Sequence, residues 1–232
     1  MIYIVGGCVF FLILFYHVIF QAWGKEKKAV TRVLYGCGWA VAVWGMWEFR
    51  QEWFNGFFSW WMLLAIPLAY VCYLLDSWIT GFRLKKKYTT LAGISELNKK
   101  QKKALYRECF KIVPNVLYEE VLFRLILGEV LMNWISWKPV VILLMILYFA
   151  TLHLRFDGKK RYVQMIDLTF FSIVLVVAYF AWGSLLFCVL LHGVRNMLVV
   201  MQRYIFFAEK ENRRRSFFTR LEEGGKGNGE GV

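Results

Sequence analysis

The sequence has no C-x-x-C pair and no H-E-x-x-H stretch, and only three histidines occur among its 232 residues. Its five cysteines, Cys8, Cys37, Cys72, Cys109 and Cys188, are scattered and lie mostly inside apolar runs. That distribution excludes a disulfide framework or a cysteine zinc site and leaves the thiols as small packing groups. Acidic residues are scarce, 16 against 29 Lys and Arg, for a formal net charge of +13. No basic folded domain stands outside the apolar runs, so this charge does not point to nucleic acid. The first segment has neither a basic n-region nor a small-residue cleavage site, and is read as a retained span instead of a signal peptide. No internal repeat is present, which argues against a transporter built from paired halves.

What the sequence does have is apolar surface. Residues of this kind make up 59% of the chain, aromatics 19%, and the mean hydropathy is +0.47. A soluble domain runs nearer 45–50% apolar, and a spanning helix needs roughly 20 mostly apolar residues. The runs are Ile2 to Trp23, Val33 to Phe49, Phe54 to Thr80, Phe110 to Trp134, Pro139 to Leu154, Tyr162 to Trp182 and Ser184 to Phe207. The expected fold is therefore an all-α, polytopic transmembrane bundle of about seven spans, with the second and fifth short.

Charge placement orients the bundle. Lys and Arg gather in the first connection (Lys25, Lys27, Lys28, Arg32), the third (Arg83 to Arg107), the fifth (Arg155, Lys159, Lys160, Arg161) and the segment from Arg203 onward. The opposite connections hold only Arg50 and Lys138. By the positive-inside rule the N-terminus faces out and the C-terminus faces the cytoplasm, in a cell membrane whose lipids are the first partner. The third connection has a Lys-rich face with apolar Leu91, Ile94, Leu97 and Leu105, which suits either an interfacial helix or a solvated linker. Three regions are expected: a three-span N-terminal region at 1–109, a core at 110–207, and a basic, Gly-rich tail at 208–232 without fixed structure.

Ionisable groups inside spans need partners or a task. In the fourth run, Glu120 and Arg124 stand four apart on one helical face and can pair, while Glu119 lies about 100° around the helix with no local partner. His153 ends the fifth run, four residues after Phe149. His192 and Asn196 share a face in the seventh, with Gly193 permitting close approach. At about 1.5 Å per residue, Glu119 and His192 both fall near the midplane. A carboxylate and an imidazole holding one water can hydrolyse a peptide without a covalent intermediate. A second imidazole and a carboxamide can receive the oxyanion.

E-E-x-x-x-R at Glu119, Glu120 and Arg124, F-x-x-x-H at Phe149 and His153, and H-x-x-x-N at His192 and Asn196 resemble the signature motifs of the CAAX-protease and bacteriocin-processing (CPBP, or Abi) family. They occur in the family's order on three separate runs, across roughly Phe110 to Phe207. The resemblance implies an intramembrane glutamic endopeptidase in which Glu119 and His153 activate water and His192 and Asn196 form the oxyanion site. Glu120, Arg124 and Phe149 would support them. The implied substrate is a membrane-associated peptide or protein: a leader peptide, bacteriocin, pheromone or prenylated C-terminus, cut from the cytoplasmic side.

Other readings stand beside this one. Glu119, Glu120, His153 and His192 offer zinc-type ligands, but without H-E-x-x-H, and with Asn196 beside His192, the expectation is no metal and no cofactor. Arg195 is expected to pair with Asp167 or Glu129, and His17 to be a packing residue. The alternative function is a non-proteolytic membrane protein that binds a peptide or membrane-protein partner, for bacteriocin immunity or envelope-enzyme regulation.

Overall fold

The computed structural model describes residues 28–49, 60–79, 94–95, 97–152 and 161–226. The first apolar run, with Cys8 and His17, lies outside these residues, as do His153 and the final six positions. Among the described residues the chain is helical and contains no strand. The helices are α1 (Lys28–Glu48), α2 (Ala65–Ile79), α3 (Lys99–Glu120), α4 (Leu127–Trp134), α5 (Lys138–Leu152), α6 (Arg161–Trp182) and α7 (Leu185–Lys226). A 3-10 turn, Trp60–Leu64, leads into α2, and a π-helical segment, Val121–Ile126, joins α3 to α4.

Among the described residues, three segments are long and apolar enough to cross a membrane: Met62–Ile79, Met165–Trp182 and Leu185–Ala208. The fifth run forms α5, apolar but only 15 residues long. The fourth run is realised within the α3–π–α4 sequence, so it is interrupted as an α-helix.

Local chemistry sets the boundaries. Asn98 and Gln101 close the start of α3 reciprocally: the Asn98 N–H donates to Gln101 Oε1 at 3.0 Å and the Gln101 N–H to Asn98 Oδ1 at 2.9 Å, a capping box. Pro114 sits inside α3 and withdraws one backbone donor from the ladder. Gly183 ends α6 with a φ of 60°, and its N–H donates to Tyr179 O at 2.8 Å, as a left-handed helix cap requires. Ser184 then caps α7, its Oγ accepting from the Phe187 N–H at 3.2 Å. A two-residue connection thus joins two candidate spans.

Two compact units are present. The first comprises the described residues of Met1–Phe82 together with Val113–Arg195. Its core draws Ala42 from α1, Ala65, Ala69 and Cys72 from α2, the π segment, Phe149 from α5, Phe171 and Leu175 from α6, and Cys188 and Leu191 from α7. Every residue from Val121 to Ile126 is buried, as expected for a helix enclosed on all sides. α1 reaches this segment through small residues. A Cβ at Gly38 would collide with the Tyr118 hydroxyl, and one at Gly45 with the Ile126 side chain.

The second unit comprises the described residues of Arg83–Ile112 and Asn196–Val232. Leu97, Leu105 and Cys109 bury against Ile205 and Ala208, with Ile94, Met197, Val200 and Met201 packed around them. Leu97 and Leu105 of the third connection therefore bury against α7, with Ile94 packed beside them. α7 also continues as helix to Lys226, where an unstructured tail is expected from residue 208. Its continuation is rich in Glu, Lys and Arg, which extend a helix already nucleated at low cost.

Candidate active site

The first unit brings α3, the π segment, α5, α6 and α7 around one imidazole. Glu120 closes α3 with its side chain fully buried, and Arg124, one π turn on, is 1% exposed. Arg124 Nε stands 3.3 Å from Glu120 Oε2. The π register is visible at its end, where the Leu127 N–H reaches back five residues to Leu122 O. Such segments occur as single turns in α-helices and frequently at functional sites.

The other oxygen of the same carboxylate holds His192. Nδ1 of His192 lies 2.6 Å from Glu120 Oε1. With Glu120 ionised, Nδ1 carries the proton and donates it, a short charge-assisted bond. Nε2 then points toward Glu119, whose Oε2 is 3.8 Å away and whose side chain is 27% exposed. At that separation the two groups are near neighbours without a direct hydrogen bond. Glu120 is thus more than the structural partner of Arg124, because it joins Arg124 to His192.

Aromatic rings form the walls. The Phe149 ring lies edge-on to Phe123 at 5.6 Å and to His192 at 6.0 Å, and Arg124 sits over its face at 4.4 Å. Phe171 of α6 packs edge-on to His192 at 5.2 Å. Between α4 and α5 runs an apolar recess of about 380 Å³, lined by Leu127, Leu131 and Trp134 on one wall and Leu144, Leu147, Tyr148 and Thr151 on the other. Tyr148 links this recess to the site wall through its contact with Phe123 at 5.8 Å.

Of the residues singled out in the sequence, the structure brings together Glu119, Glu120, Arg124, Phe149 and His192. His153 lies outside the described residues. Asn196 follows His192 by one turn of α7 and is the first α7 residue assigned to the second unit. Among the described residues no group of three His, Cys, Asp or Glu side chains is arranged to hold a metal ion. Cys37, Cys72, Cys109 and Cys188 are free thiols.

Residues 107–198 match the family of type II CAAX prenyl endopeptidases described as Rce1-like. It is the family group that the three motifs resemble. The match spans less than half of the chain, from the middle of α3 to the second turn beyond His192, and it encloses all three motifs. No curated protein and no solved structure matches the chain. Among the described residues, three apolar helices of spanning length lie before, within and across the end of the matched segment, as in a membrane protein.

Two features of the site escaped sequence reasoning. Phe171 walls His192 but belongs to no motif. Asp76 approaches Arg195 at 3.2 Å beside the expected partner Asp167 at 2.9 Å. The available signal for Asp76 was its isolation, since it is the one charged residue between Met62 and Ile79.

Proposed function

We propose that the chain is a metal-independent, glutamic-type intramembrane endopeptidase that hydrolyses a peptide bond in a membrane-associated peptide or protein. The observation carrying this reading is the His192 imidazole set between two adjacent carboxylates, Nδ1 on Glu120 and Nε2 toward Glu119, within a segment of a protease family.

The charges favour this chemistry. Arg124 offsets one carboxylate, and the second stands 3.8 Å from the imidazole. Glu119 is the more exposed of the two acids and is the one a water can reach. A water hydrogen-bonded to Glu119 Oε2 is the nucleophile, and His192 Nε2 is kept for the substrate carbonyl oxygen. Glu119, assisted by His153, takes a proton from this water as its oxygen bonds to the substrate carbonyl carbon. The imidazolium of His192, stabilised by Glu120, donates from Nε2 to the oxyanion, and Asn196 supplies a second donor. As the C–N bond breaks, the proton held by Glu119 passes to the leaving amine.

The apolar recess between α4 and α5 suits the apolar part of a substrate that arrives within the bilayer. Seven spans, an outward N-terminus and a cytoplasm-facing site in the cell membrane complete the proposal, supported by the distribution of Lys and Arg. Lipids and the substrate are the partners, and nucleic acid is not one.

The test is cleavage of a panel of membrane-associated and prenylated peptides by wild type, Glu119→Ala and His192→Ala, each with and without a chelator. Chelator-resistant cleavage lost in both variants supports the proposal. Chelator-sensitive cleavage would replace it with zinc chemistry. Full biological activity of both variants in cells would remove the peptidase reading.

A further inference from the structure

Each of the three candidate spans sends one charged side chain into a second buried cluster in the first unit. Arg195 Nη2 lies 2.9 Å from Asp167 Oδ2 and 3.2 Å from Asp76 Oδ2, and all three residues are buried. Asp76 belongs to Met62–Ile79, Asp167 to Met165–Trp182 and Arg195 to Leu185–Ala208. Two carboxylates from two helices therefore converge on a single nitrogen of a third.

Stability alone is a poor account of such a cluster. Desolvating one cation and two anions commonly costs more than their attraction returns, and apolar side chains of similar volume hold helices together at least as well. What a planar, doubly held guanidinium supplies is a fixed orientation. That orientation is used. The Arg195 guanidinium lies over the face of Phe171 at 4.6 Å, and the Phe171 ring meets His192 edge-on at 5.2 Å with an interplanar angle of 68°. Asp167 and Phe171 lie one turn apart on α6, and His192 and Arg195 one turn apart on α7, so the four side chains close a ring between two helices. On its other side His192 is fixed by Glu120 at Nδ1. The tilt of the imidazole about that bond is bounded by Phe171 at 5.2 Å and by Phe149 at 6.0 Å, and it governs the 3.8 Å gap between Nε2 and Glu119.

We propose that Arg195, clamped by Asp76 and Asp167, is a positioning residue that sets the tilt of His192 through Phe171. The consequence for rate rests on the peptidase reading above. The geometric claim does not, and the experiment separates the two.

The chain holds only three histidines, His17, His153 and His192, so the imidazole Cε1–H resonances of the full-length protein in detergent micelles can be assigned by replacing His17 and His153 in turn. Three variants are compared with wild type: Arg195→Met, Arg195→Lys and Phe171→Leu. Lysine keeps the charge attraction but cannot stack on a ring as a planar guanidinium does. A merely structural tie would therefore leave His192 unchanged in Arg195→Lys. Positioning displaces the His192 resonance in Arg195→Lys, where the Phe171 ring is kept, and in Phe171→Leu displaces it beyond the loss of that ring's own shielding, while both variants still unfold cooperatively. It also lowers kcat, by about tenfold in Arg195→Lys and by about a hundredfold in Arg195→Met, with KM retained, as misplacement of a reacting group does. If Arg195→Met fails to fold, the Arg195→Lys and Phe171→Leu resonances decide the question. A His192 resonance at its wild-type position in folded Arg195→Lys overturns the proposal. If wild type cleaves nothing while the resonances move, the positioning stands and the peptidase reading falls.

Discussion

His192 Nδ1 lies 2.6 Å from Glu120 Oε1, a contact that ties α7 to the end of α3 across 72 residues of sequence. It gives the two neighbouring glutamates different work. Glu120 is fully buried and engaged with both Arg124 and His192. Glu119 keeps partial exposure and faces the free edge of the imidazole. Adjacent residues of one type are thereby separated into a fixed acid and an accessible one, the kind of split that assigns distinct roles to paired carboxylates.

Glu119→Gln and Glu120→Gln should therefore fail differently. Glu119→Gln is expected to lower cleavage by about 10²–10⁴-fold, the usual contribution of a general base, with little change in unfolding temperature. Glu120→Gln should lose activity and also about 3–5 kcal/mol of stability, because it leaves the buried Arg124 without its compensating charge. Parallel peptide-cleavage assays and thermal unfolding in one detergent check both halves. Equal stability losses in the two variants would contradict this division.

Much of the site was legible because helices convert spacing into direction. Four-residue intervals put Glu120 with Arg124 and His192 with Asn196 on common faces, and the scarcity of histidine made His192 conspicuous. What periodicity cannot supply is the partner across helices. That Glu120 holds His192 depends on how α7 lies against the end of α3 and on a π register that no composition signals. Asp76 and Arg195 are more than a hundred residues apart, and Phe171 looks like any other apolar residue of its run. The break at Gly183 and Ser184 was readable from residue chemistry. The apolar residues of the third connection suited an interfacial helix or a solvated linker, and their packing on α7 was not legible because protein and lipid interfaces present the same pattern.

Packing of α1 against the π segment yields a contrast between two glycines. Gly45→Val places branched carbons on the Ile126 side chain and should cost about 1–3 kcal/mol, the range for overpacking. Gly36 has nothing within 4 Å of a prospective Cβ, so Gly36→Ala should gain about 0.5–1 kcal/mol from the better helix former. Thermal unfolding of the two variants checks the pair. A neutral Gly45→Val would mean that α1 does not seat on Ile126.

The two-residue connection between α6 and α7 makes a sharper claim about backbone geometry. Gly183→Ala must hold an L-residue at φ 60°, at a cost of about 1–2 kcal/mol. Ser184→Ala removes the acceptor for the Phe187 N–H and should cost about 1 kcal/mol. In Gly183→Asn the penalty should shrink, since asparagine tolerates the left-handed region. An unfolding series in which Asn is no better than Ala at 183 would exclude this cap.

The Glu120–Arg124 pair allows the requirements of folding and of catalysis to be separated by a double substitution. Each single change, Glu120→Leu or Arg124→Leu, strands one buried charge and should destabilise by about 3–5 kcal/mol. Replacing both together removes the desolvation cost along with the attraction, so Glu120→Leu/Arg124→Leu should regain most of the lost stability, as apolar replacements of buried pairs commonly do. It should not regain cleavage. A leucine side chain in place of the Glu120 carboxylate cannot accept the Nδ1 proton, so the imidazole loses both its fixed tautomer and the charge that stabilises its protonated form. Unfolding temperature and kcat measured on the three variants should then diverge, with the double variant near wild type in the first and near the single variants in the second. Recovery of both together would mean that Glu120 serves the fold alone and that His192 needs no partner at Nδ1.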